Sequence, residues 1–321
     1  MSLDLSSVTL TQLRYVAAVD RHRSFRAAAD HCRVSQPALS MQVQKLEEIL
    51  GVPVFDRSHQ PVVTTERGVA IVAQARAVLR ECDRLSDVAQ AIEGPTGTFR
   101  LGVIPTLGPS LVPLLLPALA AAYPRLRLIV SERTTDELTR GLLDDSLDGG
   151  LAVTPLDIGQ VRERPLFLEP FYVYLSPKHA LRRRKLLRQS DLVEERPWLL
   201  SEGHCFRAQV LHLCKIDRRS VEAELVSSVE SSTFETLIRL VDAGEGLTLL
   251  PELVVRTLPA AVRRRQVRAF AAPVPARQVS FVYVRDRLRT SAAEAIVDTL
   301  LARLPRRTRG RDEERALVPV R

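Results

Sequence analysis

The hydrophobic pattern of this chain changes type once, near residue 97. Before that point apolar residues recur at the spacing of amphipathic helices, whereas from Thr98 short apolar runs alternate with helical segments. Alternating strands and helices are typical of an α/β domain with a mostly parallel sheet. The 321 residues are enough for two or three domains. The sequence therefore predicts an all-α N-terminal part and an α/β C-terminal part.

Residues 1–65 predict three short helices followed by a wing. Ser24 is a favourable N-cap for the second helix and Ser35 for the third, whose first turn tolerates Pro37. Gly51 is a usual helix terminator. Residues 53–64 then suit a small two-stranded wing. Residues 1–65 are therefore predicted to form three helices and a wing.

Residues 66–92 predict one long linker helix, and residues 94–97 a hinge. Two interleaved sets of seam residues repeat every seven positions, namely Ile71, Val78, Leu85 and Ile92, and Ala75, Cys82 and Ala89. A heptad seam of this kind predicts pairing with a second copy of the helix. Cys82 falls on the seam and is interpreted as packing.

The C-terminal part predicts two similar α/β lobes. Residues 98–170 and 270–305 form lobe I in this interpretation, and residues 171–269 form lobe II with a strand at Leu225–Val229. Residues 306–321 are predicted to be a disordered tail. Ligands in such folds bind at strand ends or between lobes.

Composition limits the possible compartments and partners. Met1–Leu10 lacks a targeting pattern, and the longest apolar stretch, Leu111–Tyr123, is too short for a membrane helix of ~20 residues. We therefore expect a cytoplasmic protein without a membrane partner. Its four cysteines are then core thiols, metal ligands or redox centres. The net charge of +8 does not locate a DNA-binding face, since residues 1–60 carry seven Arg or Lys against six Asp or Glu.

The segments Ser24–Ser40, Val43–Gly51 and Phe55–Arg57 resemble the helix-turn-helix of LysR-type transcription regulators. Short polar groups on the third helix suit base edges or phosphates in a major groove, and an arginine in the wing suits a phosphate. The predicted DNA-binding residues are Ser35, Gln36, Pro37, Ser40, Gln44 and Arg57. The alternative is a helical hairpin that binds another protein. The lobed part resembles the periplasmic-binding-protein-like regulatory domain of the same family.

Residues 202–214 carry two cysteines nine positions apart and resemble the sensing segment of the peroxide-responsive OxyR branch of that family. Val103–Pro109 looks like the first-strand motif of this branch. Thr135 matches a second threonine near the thiol, and Arg285 an arginine close to the reactive site. Ala208 is a departure, because some members carry an aspartate there that is linked to peroxide reduction, which puts the rate of reaction in doubt.

A sensor thiol needs a lowered pKa and access to peroxide. Cys205 precedes a helical pattern, so the helix N-terminus is expected to stabilise its thiolate. The residues predicted to activate the thiolate or bind peroxide are Thr106, Thr135, His204, Arg207 and Arg285. By resemblance, peroxide converts Cys205 to a sulfenic acid, which Cys214 resolves to a disulfide. A helix over 205–214 would separate the two Cα atoms by ~13.5 Å, and a disulfide requires less than ~7 Å, so the bond requires unwinding.

The resemblance implies a regulator of antioxidant genes that binds double-stranded promoter DNA, responds to hydrogen peroxide, forms a homodimer or homotetramer and contacts RNA polymerase. It implies no enzyme activity, no cofactor and no metal.

Three other interpretations stay open. The first is a LysR-type regulator that binds a small organic effector between the lobes, with structural cysteines. The second is a thiol peroxidase that uses Cys205 repeatedly. The third is a zinc site of His204, Cys205, His212 and Cys214, whose spacing is uncommon for zinc.

Overall fold

The computed structural model describes residues 5–89, 94–193, 195–216, 233–244, 246–284, 291–304 and 315–319. The chain divides into two compact units, with the second beginning at Gly94. Within the described ranges, no helix is both long and apolar enough to span a membrane.

The first unit is a winged helix-turn-helix followed by a long helix, as predicted. Its elements are α1 (Leu10–His22), α2 (Phe25–Cys32), α3 (Gln36–Leu50), β1 (Phe55–Asp56), β2 (Val63–Thr64) and α4 (Glu66–Ala89). The two predicted caps are confirmed: Ser24 Oγ accepts a hydrogen bond from the Ala27 amide at 3.3 Å and Ser35 Oγ from the Ala38 amide at 3.4 Å. α3 ends at Gly51, whose φ of 66° is left-handed.

Glu47 fastens the wing to α3. Its Oε1 accepts hydrogen bonds from the backbone amides of Val54 at 2.8 Å and Phe55 at 3.1 Å. Asp20 of α1 fastens α4 in the same way, through an ion pair of 2.7 Å with Arg76. The positions of wing and linker helix therefore depend on polar contacts as well as on the hydrophobic core.

The predicted seam on α4 is only partly free. Ala75 is buried inside its own unit, whereas Val78 and Leu85 are 36% and 69% exposed. Ile92 and the side chain of Ala89 lie outside the described residues. The interpretation of Ala75 as a pairing residue is therefore wrong, because the first half of α4 packs against α1.

The second unit is a two-lobed α/β domain. Its first elements are β3 (Gly97–Val103), α5 (Gly108–Ala122), β4 (Leu126–Glu132), α6 (Thr135–Leu143), β5 (Gly149–Thr154), β6 (Val161–Leu175), β7 (Leu186–Leu187) and α7 (Cys205–Cys214). The later elements are α8 (Phe234–Asp242), β8 (Leu247–Pro251), α9 (Glu252–Thr257), α10 (Ala260–Gln266), β9 (Val267–Phe270), β10 (Val274–Val284), α11 (Ser291–Arg303) and β11 (Arg315–Leu317). The strand predicted at Leu225–Val229 lies outside the described residues.

β6 is the strand that the two lobes share. Up to Pro170 it pairs with β10 in lobe I, and from Phe171 it pairs with β8 and β9 in lobe II. β3, β4 and β5 are parallel neighbours, whereas β10 runs antiparallel to both β5 and β6. The sheet is therefore mixed rather than mostly parallel, because β6 carries the chain out of lobe I and β10 carries it back.

The predicted disorder of residues 306–321 is wrong for residues 315–319. Arg315–Leu317 form β11, which pairs in parallel with the first residues of β10. Val318 is buried in the hydrophobic cluster of lobe II. The prediction of disorder relied on the basic composition of this stretch and overlooked Val318, the apolar residue that anchors it. Residues 305–314 lie outside the described residues.

Candidate redox site

The helix α7 begins at one cysteine and ends at the other. Cys205 is its first residue and Cys214 its last, and Lys215 ends the helix in a left-handed conformation with φ of 54°. The helical pattern expected to follow Cys205 is thus confirmed, and the helix extends to Cys214. Nine steps of helical rise separate the two Cα atoms by about 13.5 Å.

The two cysteines lie on one helix but contact the hydrophobic clusters of different lobes. Cys205 is half-buried and packs against the hydrophobic cluster of lobe I, whereas Cys214 is fully buried within the cluster of lobe II. Burial raises the pKa of the Cys214 thiol to about 12, and the negative charge of Glu195 acts in the same direction. Cys214 is therefore a neutral, shielded thiol while α7 is intact.

Opposing influences act on the Cys205 thiol. Burial raises its pKa, while the positive charge of Arg277 and a hydrogen bond from the Thr135 hydroxyl lower it. Burial is the largest of these effects, so the pKa of Cys205 lies above its ordinary value. The predicted net lowering is therefore wrong for the resting protein. The Thr135 contribution has the predicted direction, whereas the favourable charge is that of Arg277, which was not predicted.

Arg277 is the buried cation of the site. It lies on β10 directly opposite Glu169 of β6, and its Nε donates to Glu169 Oε2 at 2.8 Å. Its Nη1 donates to Thr106 Oγ1 at 3.0 Å, and its guanidinium lies 5.4 Å from the ring centre of Phe206. Since Phe206 follows Cys205, the same guanidinium touches lobe I, the crossing strands and the start of α7.

Glu169 completes this buried network. It is fully buried like Arg277, and its Oε1 accepts a hydrogen bond from the Leu253 amide in the first turn of α9 at 2.9 Å. Both carboxylate oxygens are thus bonded. A buried ion pair is tolerated where such additional hydrogen bonds satisfy it, and this one holds the positive charge in a fixed place.

The structure brings only some of the predicted activating residues to the thiol. Thr106 is buried after β3 and bonded to Arg277, and Thr135 begins α6 and bonds Cys205. His204 precedes the thiol, but burial lowers the pKa of its imidazole and favours the neutral ring, so it supplies no charge near neutral pH. Arg207 donates instead to the Leu200 carbonyl at 3.1 Å. Arg285 lies outside the described residues.

Sequence reasoning missed Arg277 and Glu169. The available signal was a single charged residue in each of two otherwise uncharged stretches, Glu169 in 165–175 and Arg277 in 274–284. A charge in the middle of a buried strand needs a partner. Their partnership is visible only once β6 and β10 are paired.

The zinc interpretation finds no support in the described residues. His204 and Cys205 lie at one end of α7, and His212 and Cys214 at the other. No group of three or more His, Cys, Asp or Glu side chains in the described part of the chain is arranged to hold a metal ion.

The first unit exposes a polar face on α3. Gln36, Pro37 and Gln44 are exposed, and Ser40 is half-buried. Gln44 donates to Glu48 at 3.1 Å along the same helix. Ser35 uses its hydroxyl as the helix cap. Met41 and Lys45 are also exposed on α3, and the sequence analysis did not include them.

Arg57 follows β1 and is fixed against α3. It donates to Ser40 Oγ at 3.0 Å and to Glu47 Oε2 at 2.9 Å, and it lies 4.7 Å from the ring centre of Phe25. The arginine thus holds its charge beside the polar face of α3.

Comparison with known proteins defines the family. Residues 10–69 match the bacterial regulatory helix-turn-helix protein model of the lysR family, and residues 93–305 match the LysR substrate binding domain. Two such matches in this order, on a winged helix-turn-helix and a two-lobed α/β domain, show that the chain belongs to the LysR family of regulators.

Within that family the chain is similar to OxyR proteins. The DNA-binding transcriptional dual regulator OxyR of Escherichia coli strain K12 is 34% identical over 92% of this chain and 96% of that protein. A probable hydrogen peroxide-inducible genes activator of Streptomyces viridosporus is 38% identical over 89% of this chain and 90% of that protein.

Solved OxyR structures share the fold. A full-length Pseudomonas aeruginosa OxyR with a cysteine-to-aspartate substitution has a TM-score of 0.76 and 36% identity, covering 94% of this chain and 99% of that one. A Corynebacterium glutamicum OxyR cysteine-to-serine variant with hydrogen peroxide bound has a TM-score of 0.59 and 28% identity, covering 92% of each chain.

The hydrogen bond from Thr135 can be tested by thiol reactivity. We expect Thr135→Val to raise the pKa of Cys205, because the thiolate loses a hydrogen bond. Alkylation of Cys205 at pH 7 should slow roughly tenfold, the scale of a hydrogen bond to a charged group. The measurement is the alkylation rate against pH in a background where the other cysteines are serine.

Thr134→Val is the matched control, since the Thr134 hydroxyl bonds Glu137 at 3.1 Å rather than the thiol. Identical pH profiles for both variants would show that Thr135 does not act on the sulfur.

Proposed function

We propose that this chain is a cytoplasmic, hydrogen-peroxide-sensing transcription regulator that controls antioxidant genes. Oxidation of Cys205 and a Cys205–Cys214 disulfide form its switch. The observation that carries the proposal is a fully buried arginine at the start of α7: the Arg277 guanidinium lies 5.4 Å from the ring centre of Phe206, the residue that follows Cys205. Its positive charge and the Thr135 side chain both lower the pKa of the thiol against the effect of burial. The names of the similar proteins support the same signal.

The first chemical step is attack of the Cys205 thiolate on one oxygen of hydrogen peroxide. An S–O bond forms as the O–O bond breaks, so the sulfur loses two electrons and the peroxide is reduced. The departing oxygen leaves as hydroxide and takes up a proton to become water. The fixed charge of Arg277 stabilises the thiolate and the negative charge that develops on the leaving oxygen. The product is a sulfenic acid on Cys205.

The second step needs a change of conformation. The Cys214 sulfur attacks the Cys205 sulfenic sulfur, an S–S bond forms and water leaves. The Cα atoms must first approach from about 13.5 Å to within ~7 Å, so α7 has to unwind. Because Cys214 is buried and neutral until then, the two cysteines react in a fixed order.

One equivalent of hydrogen peroxide should link Cys205 to Cys214 and leave Cys32 and Cys82 reduced. Peptide mass spectrometry of the reduced and treated protein measures this directly. The variant Cys214→Ser should stop at the sulfenic acid, which a dimedone-type reagent traps.

Thiols that remain reduced in both proteins would remove the peroxide proposal and favour an organic effector between the lobes. Continuous peroxide consumption with a thiol reductant would instead favour a peroxidase. The proposed regulator consumes one peroxide molecule and does not react again until its disulfide has been reduced.

For DNA, we propose that α3 enters the major groove of promoter DNA. Its exposed polar side chains can reach base edges. The Glu47 contacts keep the wing beside α3, and Arg57 holds a positive charge near the same face for a backbone phosphate.

Gln36→Ala should weaken operator binding by roughly 5- to 150-fold, because a good side-chain contact to a base contributes ~1–3 kcal/mol. Fluorescence anisotropy with a selected operator at fixed salt measures the change. Gln74→Ala is the control, since Gln74 is exposed on α4 and does not belong to the predicted recognition helix α3. Equal affinities for the two variants would exclude Gln36 from base recognition.

For assembly, we propose a homodimer through α4, a homotetramer by family likeness, and RNA polymerase as a partner at the promoter. The exposed apolar residues Val78 and Leu85 lie seven positions apart on α4. This spacing returns them to one stripe of the helix, where a second copy covers them.

Leu85→Glu should shift the protein toward smaller species in sedimentation velocity, because it places a charge inside the proposed seam. Val69→Glu is the control: Val69 is 60% exposed on the same helix but outside the heptad positions. An unchanged sedimentation coefficient for Leu85→Glu would exclude pairing at this stripe.

A further inference from the structure

The strand β11 lies against the residues that precede both members of the buried ion pair. It pairs in parallel with residues 274–276 of β10, immediately before Arg277. Arg315 Nη1 donates to the Leu168 carbonyl at 2.6 Å, immediately before Glu169. The Val318 amide donates to the Ala276 carbonyl at 2.9 Å. Residues 315–319, here called the latch segment, thus pack where β6 and β10 pass between the two lobes.

The latch segment also contacts the middle of α7. Gln209 lies four residues after Cys205, is fully buried, and its Nε2 donates to the Val318 carbonyl at 3.2 Å. Its Oε1 is buried without a hydrogen-bond partner in the described structure. Burial of an amide is costly unless it is bonded. In the described structure, the latch segment therefore accepts the hydrogen bond from the nitrogen of the Gln209 side-chain amide, while the oxygen of that amide has no partner.

An apolar contact also joins the latch segment to α7. Val318 is 4% exposed and belongs to the hydrophobic cluster of lobe II. That cluster includes four residues of α7, namely Phe206, Val210, Leu213 and Cys214. The latch segment and α7, which carries both cysteines, therefore contribute side chains to the same hydrophobic cluster.

We propose that the latch segment restrains the redox switch and that Gln209 is the positioning residue through which it holds α7. This inference rests on the proposed function, since formation of the Cys205–Cys214 bond is what requires α7 to unwind. Gln209 lies between the two cysteines, so unwinding removes its bond to Val318 and breaks up the shared cluster. The docked latch segment stabilises the reduced, helical form, and disulfide formation releases it.

The restraint acts on the second chemical step. Sulfenic acid formation needs only the Cys205 thiol and its neighbours, with α7 intact. Disulfide formation needs the helix to open. By linkage, loss of the latch segment makes the disulfide easier to form and harder to reduce, because the reduced form alone loses stabilisation.

The test compares two charge substitutions at adjacent positions in the full chain. Val318→Asp places a carboxylate in the lobe II cluster and should undock the latch segment. Leu317→Asp adds the same charge at a side chain that is 58% exposed and should leave it docked. Rapid quenching after peroxide, followed by mass spectrometry, gives the rates of both chemical steps.

We expect Val318→Asp to form the disulfide roughly tenfold faster, the scale of losing one buried valine side chain, with a more negative reduction potential. Gln209→Leu should act in the same direction. Leu317→Asp should match the wild type. In a Cys214→Ser background, the rate of sulfenic acid formation should be unchanged by Val318→Asp.

Disulfide formation at the wild-type rate in Val318→Asp would overturn the latch and leave the proposed function intact. A wild-type protein that forms no disulfide would overturn the proposed function and the latch together. If Val318→Asp does not fold, hydrogen exchange of the wild type decides: the Val318 amide should be protected in the reduced protein and exchange rapidly in the disulfide form. Equal protection in both forms would overturn the latch.

Discussion

The ion pair between Arg277 and Glu169 is the interaction on which the second unit depends. It joins β10 to β6 where the chain passes between the lobes, and neither side chain is exposed. Two buried charges are stable only with full hydrogen bonding. Around this pair, the Thr106 hydroxyl of lobe I and the Phe206 ring at the start of α7 contact the guanidinium, and the first turn of α9 donates to the carboxylate. The geometry of the thiol site is thus a consequence of satisfying a buried charge.

The same arrangement sets a balance at the two thiols. Burial raises the pKa of Cys205, and the cation and the threonine hydroxyl oppose it. The cation and the hydroxyl stabilise the site most when negative charge moves from sulfur to the leaving oxygen of a peroxide, because groups that are already in place do not have to rearrange. At Cys214 burial and the charge of Glu195 both raise the pKa, so the second thiol stays neutral. The helix keeps the two sulfurs apart, and the latch segment adds to the cost of unwinding it. This arrangement supports the proposal that one sulfur reacts first and that the change of conformation follows.

The predictions succeeded where the signal was local. Helix caps at Ser24 and Ser35 and the terminator Gly51 act within one turn of the chain, and all three are confirmed. The same is true of α7, whose pattern places a cysteine at each end. The activating groups were harder to predict. Resemblance pointed to Arg285, and the chemistry of a thiolate added His204 and Arg207. In the described structure the charge that acts on the thiol is that of Arg277, and burial favours the neutral form of His204.

The sequence by itself determined the two structural classes, the helix-turn-helix and the spacing of the two cysteines, since periodicity and capping depend on residues a few positions apart. The tertiary structure decided which charges meet. Arg277 and Glu169 are 108 positions apart, and Gln209 and Val318 are 109 apart. It also decided that Ala75 faces its own unit and that residues 315–319 form part of a core. Such contacts follow from strand pairing and burial across the whole chain, which no local pattern encodes.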